Sequence, residues 1–143
     1  MQSCVAARWM GASCVWTSFA PLREVPVADA FVVRRLEDVE GYQDAGLPRW
    51  HMLRSVLGIT SFGINAWRAT AAGQTVIGEH TETGEGAGGH EELYLVLEGR
   101  ATFTVNGVAV PAPRGTLVFV GDPEARRSAL AEEEGTVVLA IGG

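Results

Sequence analysis

An all-β fold, a small barrel of jelly-roll type, is predicted for this chain by three observations. Seven or eight short apolar runs crowd its second half with turn residues between them, at the eight- to twelve-residue spacing of antiparallel sandwiches and barrels. From His90 to Leu97 the side chains alternate, with His90, Glu92, Tyr94 and Val96 on one face and Glu91, Leu93, Leu95 and Leu97 on the other, the period of a strand. Asn106-Gly107 then follows a run rich in Thr, Phe and Val and supplies the positive φ angles that a two-residue hairpin needs.

Taken in order, residues 1–22 show no periodicity and are expected to be a disordered tail. Residues 23–58 form an arm before the barrel. In it, Phe31 to Leu36 is predicted as a short edge strand, and Glu37 to Pro48, broken by Gly41, Gly46 and Pro48, as a loop. Trp50, Leu53 and Leu57 are at helical spacing, so Arg49 to Leu57 is predicted as one short helix stopped by Gly58. From residue 59 to 143 the pattern is β. Strands are expected at Thr60–Thr70, Thr75–Glu82, His90–Leu97, Arg100–Val105, Val108–Pro111, Thr116–Val120, Arg126–Ala131 and Thr136–Ile141. The glycine-rich Thr83–Gly89 lacks the lysine and the spacing of a phosphate loop and is read as a connection between strands.

At 143 residues the chain is predicted to be one domain able to bury a core without disulfides. Its net charge is −6, its 11 basic residues are all arginine, and no basic run occurs, so nucleic acid and anionic membranes are not expected as partners. No stretch reaches the length of a membrane span. The two cysteines, Cys4 and Cys14, form neither a close metal-binding pair nor a disulfide framework, which suits a reducing compartment. Trp9 to Ala20 has some features of an export signal, but Gly and Ser break it and its charged region is minimal. A cytoplasmic location is expected.

The run Glu91-Glu92-Leu-Tyr-Leu-Val-Leu-Glu-Gly99, with six residues between Glu92 and Gly99, resembles the end of the first motif of the cupin superfamily. Gly107, Pro113, Arg114 and Gly115 resemble the first part of the second motif. The resemblance covers about residues 60–141. It implies a cupin-like jelly-roll β-barrel, with a metal held inside by two histidines one residue apart, the glutamate, and a third histidine. It also implies a homodimer, as many small cupins are. Glu92 stands at a ligand position unchanged. If Thr83–Gly89 is an insertion, His80-Thr81-Glu82 is the counterpart of the histidine pair, and the third histidine position is Val118.

The residues themselves point to the same place. If the strands flanking the loop pair antiparallel, Glu82 lies opposite His90 and His80 opposite Glu92, all four on one face. His80, Glu82, His90 and Glu92 are therefore the expected metal set, two imidazoles and two carboxylates suited to one divalent iron, manganese or zinc. Without a metal, a His80–Glu92 pair would serve as an acid–base couple, so both are candidate catalytic residues. Tyr94 is one step deeper and is assigned to the substrate. Arg126 and Arg127 face opposite ways on one strand; Arg126 is assigned inward, gripping a substrate carboxylate, against the alternative of a rim ion pair with Asp122 or Glu124. His51 is read as exposed or satisfied, Trp50 and Trp67 as packing residues. The expected function is binding or conversion of a small organic molecule in the barrel, as a metal-dependent oxygenase, isomerase or cyclase. The alternative is a non-catalytic binding or sensing cupin without its metal site.

Overall fold

The computed structural model describes residues 31–142. The expected tail, Cys4 and Cys14 lie outside them. Among the described residues, nine strands make two antiparallel sheets. They are β1 (Arg49–His51), β2 (Gly63–Arg68), β3 (Thr75–His80), β4 (Glu92–Glu98), β5 (Arg100–Val105), β6 (Val108–Pro113), β7 (Leu117–Val120), β8 (Arg127–Ala131) and β9 (Val137–Gly142). One sheet runs β1-β2-β9-β4-β7 and the other β3-β8-β5-β6. A short α-helix, α1 (Leu53–Leu57), precedes β2. Among the described residues no helix is long and apolar enough to cross a membrane.

The core lies between the sheets because each strand alternates. On β4, Glu92, Tyr94 and Val96 turn inward while Leu93, Leu95 and Leu97 remain on the outer face. Ala101 and Phe103 of β5 and Ala129 and Ala131 of β8 fill the space opposite, and Val138 of β9 joins them from beside Val96. Tyr94 and Phe103 meet at a centroid distance of 5.3 Å and a tilt of 50°, a packing that adds roughly 0.5–1.5 kcal/mol to the area both bury. The β5–β6 hairpin closes on Asn106 (φ 49°) and Gly107 (φ 80°), with Val105 opposite Val108. The Asn106 side chain accepts a hydrogen bond from the Arg126 backbone amide at 2.9 Å, tying the turn to the start of β8.

The arm differs from expectation in two places. Residues 31–35 are irregular and Leu36–Asp38 forms one 3-10 turn, closed by Asp38 N–H to Arg35 O and Val39 N–H to Leu36 O; the predicted edge strand is absent. The predicted helix is split. Arg49–His51 is strand because Trp50 pairs with Trp67 on one side and bridges Tyr42 on the other, so only Leu53–Leu57 winds into helix. Gly58 ends it at φ 69°, as expected. This detour is made possible by Gly41, where a Cβ would stand 2.4 Å from the Arg49 side chain.

A third difference concerns the pairing around the glycine-rich loop. Strands β3 and β4 do not pair with each other. β3 pairs with β8 and β4 with β7 and β9, in opposite sheets. The loop keeps one closing bond, Gly89 N–H to Glu82 O at 2.9 Å, and Glu82 N–H reaches Pro123 O at 2.8 Å.

Candidate functional site

His80, Glu82, His90 and Glu92 come together at the mouth of the barrel, although the ladder that predicted their meeting does not exist. They meet across the gap between sheets. His80 Nε2 is 3.2 Å from Glu92 Oε2 and 3.2 Å from Glu82 Oε1, and His90 Nε2 is 3.2 Å from Glu82 Oε2. The two predicted partnerships, His80 with Glu92 and Glu82 with His90, both hold. Gly88 and Gly142 make room for the His90 ring: a Cβ would stand 2.7 Å from Nδ1 at Gly88 and 3.0 Å from Nε2 at Gly142.

The orientation of His80 decides what this cluster can hold. Its Nδ1 is 2.7 Å from the Gly78 carbonyl, which can only accept, so Nδ1 carries a proton. Nε2 then points at two carboxylate oxygens. It either donates a second proton to them or joins them as a third electron-pair donor around a cation. Among the described residues, His80, Glu82 and Glu92 are the group whose donor atoms converge, all within 4.8 Å of one another. Two donors bound at about 2.0–2.2 Å to one ion stand roughly 3 Å apart, close to the 3.2 Å observed here. The three donors could therefore hold a divalent cation. His90 stands outside that group and holds Glu82 from the side, so the expected four-residue set becomes three donors and a support.

A residue assigned elsewhere completes the site. Arg127, on β8, is fully buried, and its Nε donates to Glu92 Oε2 at 3.1 Å. Its Nη1 donates to Ala125 O at 2.8 Å and Pro123 O at 3.3 Å, which fixes the guanidinium. Nη2 has no hydrogen-bond partner and is 3.9 Å from Glu82 Oε1. Arg126, by contrast, is exposed and pairs with Glu79 at 2.9 Å. The inward assignment of Arg126 is thus corrected: β8 begins with Arg127 facing the core, and alternation sends Arg126 to the rim. Tyr94 also donates to Glu92 Oε2. Burial above all, with the Glu92 carboxylate accepting its proton, raises the Tyr94 pKa well above the ordinary phenol value. Glu92 Oε2 therefore accepts from Tyr94 and Arg127 with His80 Nε2 3.2 Å away, while its Oε1 makes no hydrogen bond among the described residues.

A cavity of about 310 Å³ opens beside His80 and Glu92, walled by Trp67, Val76, Ile77, Tyr94 and Ala140. Arg127 is not in its wall. Val118, at the position where the resemblance places a third histidine, is buried and is the β-partner of Tyr94. His51 plays no part here: it is buried on β1 with Nδ1 2.9 Å from Val39 O.

No family model matches the sequence, and no curated protein matches it. Solved structures do match the fold. A predicted oxalate decarboxylase from Thermotoga maritima superposes with a TM-score of 0.62 at 19% identity, over 78% of this chain and 97% of that one. An RmlC-like cupin from Shewanella frigidimarina gives 0.59 at 19% identity, over 80% and 91%. KdgF from a Halomonas species gives 0.61 at 12% identity, over 80% and 92%. This chain has the cupin fold. At these identities the likeness speaks of the barrel, and the chemistry has to be read from this chain's own site.

Proposed function

We propose that this cupin binds a small organic molecule in its barrel cavity and moves a proton on it, as an isomerase or cyclase does, beside a divalent metal held by His80, Glu82 and Glu92. The observation that carries the reading is the state of Glu92. One of its oxygens is fixed by Tyr94 and Arg127, while the other makes no hydrogen bond among the described residues and stands beside an otherwise mostly apolar cavity. A carboxylate so held keeps its orientation and can accept a proton from a bound molecule within hydrogen-bond reach. A divalent ion held by the three donors would supply Lewis-acid polarisation of a substrate oxygen, and the donor set suits iron(II), manganese or zinc. Arg127 acts through Glu92 as a positioning residue. Tyr94 keeps its proton and closes the floor of the cavity. The chain is further proposed to work as a homodimer in the cytoplasm. The outer face of the five-stranded sheet supports the dimer, since Leu117 and Phe119 are exposed on it beside Leu93, Leu95, Leu139 and Ile141.

A small-molecule thermal-shift screen tests the proposal. Molecules that raise the melting temperature of the protein are expected to lose that effect in Glu92→Gln, and hits that stabilise both proteins equally would place binding elsewhere. The buried Val118 favours a second reading, a binding or sensing cupin without catalysis. On that reading hits survive Glu92→Gln in part, and no bound molecule exchanges a carbon-bound proton with deuterated water.

A further inference from the structure

A second cavity, of about 350 Å³, adjoins the first along Trp67, Val76 and Gly78. Its character comes from the same backbone detour that split the predicted helix. Tyr42 bridges Trp50, and Trp50 is the β-partner of Trp67. Partners directly across an antiparallel ladder project from the same face. Tyr42, Trp50 and Trp67 therefore form a row of three aromatic side chains on one face of the sheet, continued inward by Val138 and Val96. The row runs from the rim to the barrel core. At its outer end Tyr42 is 62% exposed and Trp50 39%, an unusual amount of aromatic surface to leave in water. Leu47 and Pro48 form the facing wall, and Asp44 is the one charged residue lining this outer cavity.

We infer that this aromatic row is an outer subsite for the uncharged, ring-bearing tail of a ligand whose polar head sits at His80 and Glu92. The inference rests on the proposed inner cavity and specifies the class of molecule it takes. The flat surfaces of Trp50 and Tyr42 favour a planar or apolar group by stacking and area burial. Charge excludes the alternatives. No arginine lines either cavity, His80 is the sole basic residue in their walls, and Asp44 stands at the outer one. A tail bearing a phosphate, sulfonate or carboxylate would lose its hydration there without gaining a cation. The ligand is thus an elongated molecule with a small polar head and a neutral ring, longer than the inner cavity alone admits.

Phenol and biphenyl-4-ol are probes with the same head and different tails. Their affinities, measured by calorimetric titration, are compared for the unaltered protein, Trp50→Ala and Tyr42→Ala. Both side chains are at the surface and the backbone bonds of the bridge do not involve them. Biphenyl-4-ol is expected to bind about tenfold more tightly than phenol. Each variant should bring that ratio towards one while phenol binding is unchanged. A ratio near one in the unaltered protein, or a ratio that neither variant alters, overturns the outer subsite. In that event phenol binding that is lost in Glu92→Gln still upholds the inner cavity. If neither probe binds, the inner cavity reading fails and the outer subsite with it.

Discussion

Replacing Arg127 with Met gives the sharpest consequence of the site's design. The guanidinium is fully buried, its Nε donates to Glu92 Oε2 at 3.1 Å, and its Nη1 satisfies two backbone carbonyls. Met has a comparable apolar stem, so packing changes little and the loss is electrostatic. At about 4 Å and an effective dielectric near 20, the attraction between two unit charges is about 4 kcal/mol. Removing one partner of a buried pair costs about 3–5 kcal/mol, because the other charge is left without compensation. For a domain of this size the melting temperature should fall by roughly 12 °C, at ~3 °C for each kcal/mol. Urea denaturation gives the free energy directly through the midpoint and slope. Arg126→Met is the control: its partner Glu79 is also exposed, and the cost should stay within about 0.5 kcal/mol. The double variant Arg127→Met/Glu92→Gln should be more stable than Arg127→Met alone, since it removes the stranded charge. A loss below about 1 kcal/mol for Arg127→Met, or an additive double variant, would refute the claim that Arg127 is what holds Glu92 in place.

Other parts of the molecule give separate tests. Tyr94 has a raised folded-state pKa, so its contribution is fully present below the unfolded value of about 10 and is lost as pH rises above it towards the folded value; melting curves taken upward from pH 9 should show this alkaline loss, and Tyr94→Phe should reduce it. Phe103→Ala, which empties a fully buried position against Tyr94, should cost about 3–5 kcal/mol in urea. Asn106→Ala should cost about 1–2 kcal/mol, for the positive φ and for the lost bond to the Arg126 amide. Asn106→Gly should recover the backbone part of that cost, as equilibrium unfolding of both variants would reveal.

Local chemistry was legible in the sequence and long-range pairing was not. The Asn106-Gly107 turn, the inward face of β4 and the Gly58 helix end all follow from rules that act over a few residues, and they appear as predicted. The meeting of His80 with Glu92 and of Glu82 with His90 was expected from an antiparallel ladder that does not form; the four residues meet instead across the gap between the sheets. What spacing could not reveal is that β3 and β4 belong to different sheets. It equally could not show which of two adjacent arginines faces inward, since that depends on the register of β8 against β3 and β5. Trp50 was misread for a related reason: Trp50, Leu53 and Leu57 are at helical spacing, yet Trp50 has Tyr42 and Trp67 as strand partners, neither of them near in sequence. Gly88 and Gly142, which seat His90, carried no signal beyond their small size.

The central claim is that the convergent donors of His80, Glu82 and Glu92 hold a divalent ion. Elemental analysis of protein purified without an affinity metal tag tests it most directly, with His80→Ala alongside. The expected result is about one iron, manganese or zinc per chain, lost in His80→Ala and retained in Arg126→Met. Protein that contains no metal and takes up none when offered each of these ions would contradict it, and would leave the cluster as a hydrogen-bonded acid–base site with His80 donating from both ring nitrogens.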